Sequence, residues 1–146
     1  MLRCVAAVAF ALLAAQPSAA ADFRSATDTA VVLYDAPSAQ ARKVYIVSQG
    51  YPLEVVVLLR EWVKVRDASG ALSWVEAKKV SAQPRTVMVN VPAAQIRQAA
   101  NETSPVVFQA RQSVILEVTG TAGSWLQVRH RDGVSGYIRI AQVWGV

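Results

Sequence analysis

The sequence is poor in the side chains that perform chemistry. Its 146 residues include one cysteine, Cys4, and one histidine, His130. Cys4 lies in a segment that reads as removable, so the mature chain is expected to have no thiol. That excludes disulfides, thiolate catalysis and cysteine-ligated metals together, and an exported domain of this kind is held by its core alone. One histidine and scattered carboxylates do not make a metal site. No GxxxxGK or GxGxxG pattern is available to cradle a phosphate or a dinucleotide. A Ser-His-Asp set can be written from Ser124, His130 and Asp132, but no nucleophile elbow or oxyanion glycine pattern accompanies it. We therefore expect no cofactor, no metal and no enzymatic activity. His130, between Arg129 and Arg131, reads as a solvated turn residue. A small hydrolase centred on it is the alternative.

Long helical periodicities are also missing, as is any apolar run of membrane-spanning length. The apolar, uncharged run near the start, Val5 to Ala15, falls short of the ~20 apolar residues that cross a bilayer. It has the parts of a secretory signal instead: Arg3 before it, Pro17 after it, and an A-x-A site at Ala19-Ala20-Ala21. Residues 1–21 are read as a signal peptide cleaved near Ala21, which places the mature protein in the periplasm or outside the cell with no membrane span. Cys4 precedes the apolar run, so it is not an acylated lipoprotein cysteine. Hydrophobic residues make up 53% and charged residues 17% of the chain, enough apolar content for a packed core. The net charge is +5; without Arg3 the balance is 14 − 10 = +4. That surplus suits solubility or an anionic envelope polymer. Export argues against nucleic acid as a partner.

What the chain does contain is a repeat. Trp62 to Val80 and Trp125 to Val143 align without a gap at an offset of 125 − 62 = 63. The offset relates Val65 to Val128, Arg66 to Arg129, Gly70 to Gly133 and Trp74 to Tyr137. Preserved apolar, aromatic and glycine positions at one spacing mark two copies of a small unit.

Short β-type runs between turn formers fill both copies. In the first, over residues 22–80, Asp22 to Thr29 is expected to be irregular or weakly extended. Val31–Tyr34, Lys43–Val47, Leu53–Leu59, Trp62–Arg66 and Leu72–Val75 are expected strands, with a helical turn over Glu76–Val80. Leu53 and Val55 should face the core, with Glu54 outward. Ser81–Arg85 reads as a linker. In the second copy, residues 86–146, Thr86–Val91 is a strand that opens the unit or packs between the two. Ala94–Gln98, Val106–Phe108, Val114–Thr119, Trp125–Arg129 and Gly136–Ile138 follow. Gly120–Ser124 is an expected turn, and Trp144 is expected to seal the base. About 60 residues with five short strands must close on themselves to hide their edges. The fold class is therefore all-β, two tandem small barrels.

The runs GYPLEV and WVKVRDASGALSWV in the first copy, and WLQVRHRDGVSGYIR in the second, resemble bacterial SH3-like domains. The resemblance covers nearly everything after the signal and implies a pair of SH3-like barrels used as a binding or targeting module, often in the cell envelope. Two departures stand out. Ser73 replaces the glycine usual before the aromatic residue. The groove-bordering turn reads Tyr34-Asp35-Ala36-Pro37 in one copy and Arg97-Gln98-Ala99-Ala100 in the other.

Strand parity puts Trp62 with Lys64 and Arg66 on one outer face, and Trp125 with Gln127 and Arg129 on another. A tryptophan on a polar strand face can floor a ligand groove, with Tyr34 and Tyr51 extending it and Trp74 and Tyr137 beside it. The competing reading has these rings filling the small barrels. Arg66 and Arg129 can take a carboxylate ligand or pair with Glu54 and Glu117. The expected partner is peptidoglycan or an envelope protein; a purely structural envelope role is the remaining alternative.

Overall fold

The computed structural model describes residues 19–146. The signal reading falls almost wholly outside the described residues, as does Cys4. Ala19–Ala21 are exposed and carry no regular structure. No helix among the described residues is long and apolar enough to cross a membrane.

The first seven strands are β1 (Phe23–Ala26), β2 (Ala30–Tyr34), β3 (Lys43–Ser48), β4 (Pro52–Leu58), β5 (Trp62–Arg66), β6 (Leu72–Glu76) and β7 (Val80–Ser81). The next seven are β8 (Thr86–Val89), β9 (Ala93–Arg97), β10 (Val106–Arg111), β11 (Ile115–Ala122), β12 (Trp125–Arg129), β13 (Ser135–Arg139) and β14 (Val143–Trp144). A 3₁₀ turn precedes β7 and β14, at Ala77–Lys79 and Ile140–Gln142. The strand orders are β3-β2-β6-β5-β4-β1-β7 and β10-β9-β13-β12-β11-β8-β14. One order is the other advanced by seven strands. The starts of all seven strand pairs differ by 63 residues, from 86 − 23 to 143 − 80. The repeat therefore extends from the two matched stretches to both whole sheets.

Each sheet curls around its own core. Leu33, Leu53, Val63, Val65 and Val75 meet Val47 from one margin strand and Val80 from the other in a single cluster. Leu116, Leu126, Val128, Ile138 and Ile96 do the same in the second sheet. A flat sheet could not bring its two margins to one cluster. Strict alternation in β5 and β12 points Val63, Val65, Leu126 and Val128 inward. Each such fully buried aliphatic side chain contributes about 1.5–3 kcal/mol by leaving water. The hairpin after β5 turns at Gly70, φ +89°, where a side chain would be strained. Asp67 Oδ1 holds that turn by accepting from the Ser69 and Ala71 amides at 2.8 and 3.1 Å.

Three local expectations are corrected. Asp22–Thr29, expected to be irregular or weakly extended, is more regular than that: Phe23–Ala26 is a strand paired on both sides, between β4 and β7. Thr86–Val89 is its equivalent and opens the second sheet. Gly120 is not in a turn, because β11 continues through a pairing irregularity between Val118 and Gly120 as far as Ala122. Trp144 does not close the base of its own barrel. Its ring meets Phe23 of the first unit edge-on at 5.1 Å.

The two units are joined by buried polar contacts as well as by that aromatic pair. Thr86 donates its hydroxyl to the Gly50 carbonyl at 2.6 Å, and Ser25 Oγ lies 2.7 Å from Thr86 Oγ1. Ser25 also donates to the Pro84 carbonyl at 2.8 Å. Gly145 fits between Pro52 of one unit and Thr86 of the other.

Ser73, inward on β6, is 5% exposed, and its buried hydroxyl has no hydrogen-bond partner. Its equivalent in the second unit is Gly136. An orphaned hydroxyl costs about 1–3 kcal/mol, so Ser73→Ala should raise the unfolding free energy by roughly 1 kcal/mol. Urea denaturation checks this; an unchanged or lowered midpoint would contradict it.

Candidate functional site

A cleft of about 600 Å³ opens beside Trp62. One wall is the loop between β2 and β3, with Pro37, Ser38, Ala39 and Gln40. The other carries Arg60, Glu61, Glu76 and Lys78. Trp62 begins β5 and is paired with Glu76 at the end of β6, so the two side chains share the outer face. The loop is pinned at its neck: Arg42 donates to Asp35 through its amide at 3.1 Å and through Nε at 3.2 Å. Asp35 thus ties the neck of the loop whose Pro37–Gln40 face Trp62 across the cleft. Glu76 pairs with Lys78 at 3.2 Å. The cleft offers an apolar ring, a proline and both signs of charge, a surface that suits an extended peptide or a peptide-bearing glycan.

Tyr34, 7% exposed, packs edge-on against Trp62 at 5.4 Å and an interplanar angle of 88°. It supports the floor rather than forming its surface. Trp74, half-buried, pairs across the strands with Tyr34 and Lys64, and the Lys64 ammonium stands 5.9 Å over its ring. Tyr34, Trp62 and Trp74 are therefore one aromatic row on the outer face of β2, β6 and β5.

The remaining candidates lie elsewhere. Arg66 ends β5, four residues from Trp62, and pairs with Glu54 at 2.7 Å. Tyr51 sits at the same far end, where its hydroxyl accepts from the Ala68 amide at 3.3 Å and burial pushes its pKa up. Arg129 pairs with Glu117 at 3.0 Å. Tyr137 is half-buried opposite Gln127 and Arg97. Trp125 shares the outer face of β12, opposite Arg139, but it is not open to a ligand. It is 7% exposed, because the Arg139 guanidinium lies 4.9 Å over its ring and is held there by an ion pair with Glu102. Arg139 stands where the first unit has Glu76, and Glu102 where it has Ala39. The equivalent of the Trp62 cleft is thus filled from within.

Sequence reading missed the loop residues Ser38–Gln40 and the Glu76–Lys78 wall. Their signal was Pro37 followed by small and polar residues, and a strand end facing Trp62. Ser124 and His130 sit at opposite ends of β12, about 20 Å apart along an extended strand, so the three residues of the paper triad do not assemble. His130 Nδ1 pairs with Asp132 at 3.0 Å. The Val134 amide first, and His130 second, hold the Asp132 carboxyl below the usual carboxylate range. Among the described residues no group of three or more His, Cys, Asp or Glu is placed to hold a metal ion.

The profile of the bacterial SH3 domain matches twice, over residues 27–82 and 90–145, one match per sheet. The chain belongs to the bacterial SH3 domain family. Its two SH3 domains follow one another in tandem, and the aromatic row on β2, β6 and β5 belongs to the first. No curated protein matches the chain. Similar solved structures include NlpC2 from Trichomonas vaginalis, at 14% identity and a TM-score of 0.39, covering 86% of this chain and 48% of that one. NlpC1 from the same organism has 15% identity and a TM-score of 0.40, covering 92% and 50%. An NlpC/P60 family protein from Bacillus cereus ATCC 10987 has 14% identity and a TM-score of 0.38, covering 84% and 55%. The chain spans about half the length of these structures.

Proposed function

We propose that the mature chain is an exported, non-catalytic binding module of the cell envelope that takes an extended ligand in the Trp62 cleft. Peptidoglycan, with its peptide-bearing glycan, is the ligand this reading favours; an extended segment of an envelope protein is the other. The observation that carries the reading is the open cleft at Trp62, with its pinned loop and its two-signed wall, in a chain whose second copy has the equivalent place filled. The family supports a binding role, and the signal-like residues 1–21 support a periplasmic or secreted location.

Co-sedimentation with purified sacculi tests it. Wild type and Trp125→Phe should pellet alike, since Trp125 is covered. Trp62→Ala should lose at least tenfold in affinity, about 1.4 kcal/mol, for removal of a central aromatic anchor. Equal pelleting by all three would reject Trp62 as the contact. No pelleting by wild type would reject peptidoglycan and leave the protein segment as the ligand to be tested.

A further inference from the structure

A second cleft, of about 900 Å³, lies between the two SH3 domains. We propose that it is a separate site for a carboxylate-bearing oligosaccharide. The second domain supplies Arg129, His130 and Arg131, at the end of β12 and the start of its hairpin turn. The first domain supplies hydroxyl and amide groups, among them Thr29, Ser48 and Gln49. Two arginines on one wall and hydroxyl partners on the other match a ligand that carries both carboxylates and vicinal hydroxyls. Ala26, Pro84, Val114 and Ile115 also line the cleft and can meet the apolar faces of sugar rings. The volume falls within the ~300–1,000 Å³ of small-ligand sites.

The charges remain usable. Both Glu117 oxygens are served by Nη2 of Arg129 alone, at 3.0 and 3.1 Å, and half of that side chain stays exposed. Glu117 itself lines the cleft and can accept from a sugar hydroxyl. The walls are fixed relative to each other, because Thr86 of the second domain donates to the Gly50 carbonyl of the first and lies against Ser25, all three lining the cleft.

A backbone observation points the same way independently. Ser113 lines this cleft with φ +72°, the one positive-φ residue other than glycine among the described residues. Its equivalent in the first domain is Gly50, φ +81°, which adopts that conformation without strain. A serine where glycine would relax the chain is strain stored beside a cleft. Ser113 is exposed there and brings a hydroxyl that glycine lacks.

Titration of the mature protein with tri-galacturonate, with neutral maltotriose as comparison, tests the proposal by calorimetry at fixed salt. Wild type and Trp62→Ala should bind tri-galacturonate equally, which separates this site from the Trp62 cleft. Arg129→Gln combined with Arg131→Gln should weaken binding at least tenfold. Ser113→Gly should weaken it several-fold while raising the melting temperature. The proposal falls if tri-galacturonate does not bind, if maltotriose binds as well, or if the double arginine variant is unaffected. A Ser113→Gly protein of unchanged affinity would remove Ser113 from the site. None of these outcomes bears on sacculus binding through Trp62.

Discussion

Gly136→Ala is expected to lower the unfolding free energy by about 2–3 kcal/mol, as overpacking of a tight core does. A Cβ at Gly136 would stand 2.5 Å from Ile96 Cγ2 and 2.8 Å from the Arg97 carbonyl oxygen. The first is a fully buried side chain and the second is backbone, so neither can retreat freely. Gly136 is on β13, which touches β9 through a single paired position, Tyr137 with Arg97. Widening this approach would loosen β9 and β10, the whole margin of the second sheet. The first domain shows what accommodation requires, because Ser73 fits a Cβ at the equivalent place. For a domain of this size the melting temperature should drop by roughly 8–20 °C. Differential scanning calorimetry reads the drop; a midpoint within a degree or two of wild type would show that β9 yields easily. Ser73→Gly, by contrast, removes atoms from a site already built to hold them and should not reproduce the effect.

Thr86→Val is expected to destabilise the molecule by about 2 kcal/mol and to separate the melting of the two domains. The substitution keeps the side-chain shape and removes one donor. The Gly50 carbonyl then loses its Thr86 hydrogen bond and Ser25 loses a neighbour at 2.7 Å. A buried acceptor left without a partner costs about 1–3 kcal/mol. Because the three residues come from both domains and adjoin the linker, the loss falls on the contact between domains. Ser25→Ala in the same background should add less than its effect alone, since the partners are shared. Chemical denaturation followed by tryptophan fluorescence and by circular dichroism distinguishes the cases. Two transitions, or probes that no longer coincide, are expected; one coincident transition at the wild-type midpoint would contradict the role given to Thr86.

Much of this architecture can be read from the residues alone, for definable reasons. The alternation of Val63 and Val65 against Trp62, Lys64 and Arg66 sets the inner and outer faces of β5, and the sheet has that register. The 63-residue offset, first visible where tryptophan and glycine positions coincide, turns out to govern every strand. The first strand escapes notice because Phe23–Ala26 has four residues and mixed polarity; its place is set by partners on both sides, not by its own pattern. The site is less legible. Parity treats Trp62 and Trp125 alike, yet one lines a cleft and the other is covered. The difference lies in Arg139 and Glu102, far from Trp125 in sequence, so no local pattern reports it. The loop of Pro37–Gln40 likewise gains meaning only once the Asp35–Arg42 contacts fold it over β5. Arg66 and Arg129 could be read as ligand contacts or as partners of Glu54 and Glu117; both pairings are present.

The first and last strands of each domain lie side by side, with Ser25 opposite Ser81 and Ala26 opposite Val80 in the first copy. Chain entry and exit therefore share one margin, and only residues 82–85 separate the end of β7 from the start of β8. Such a cassette can be multiplied, permuted or spliced into the loop of a host protein without rerouting any strand inside it.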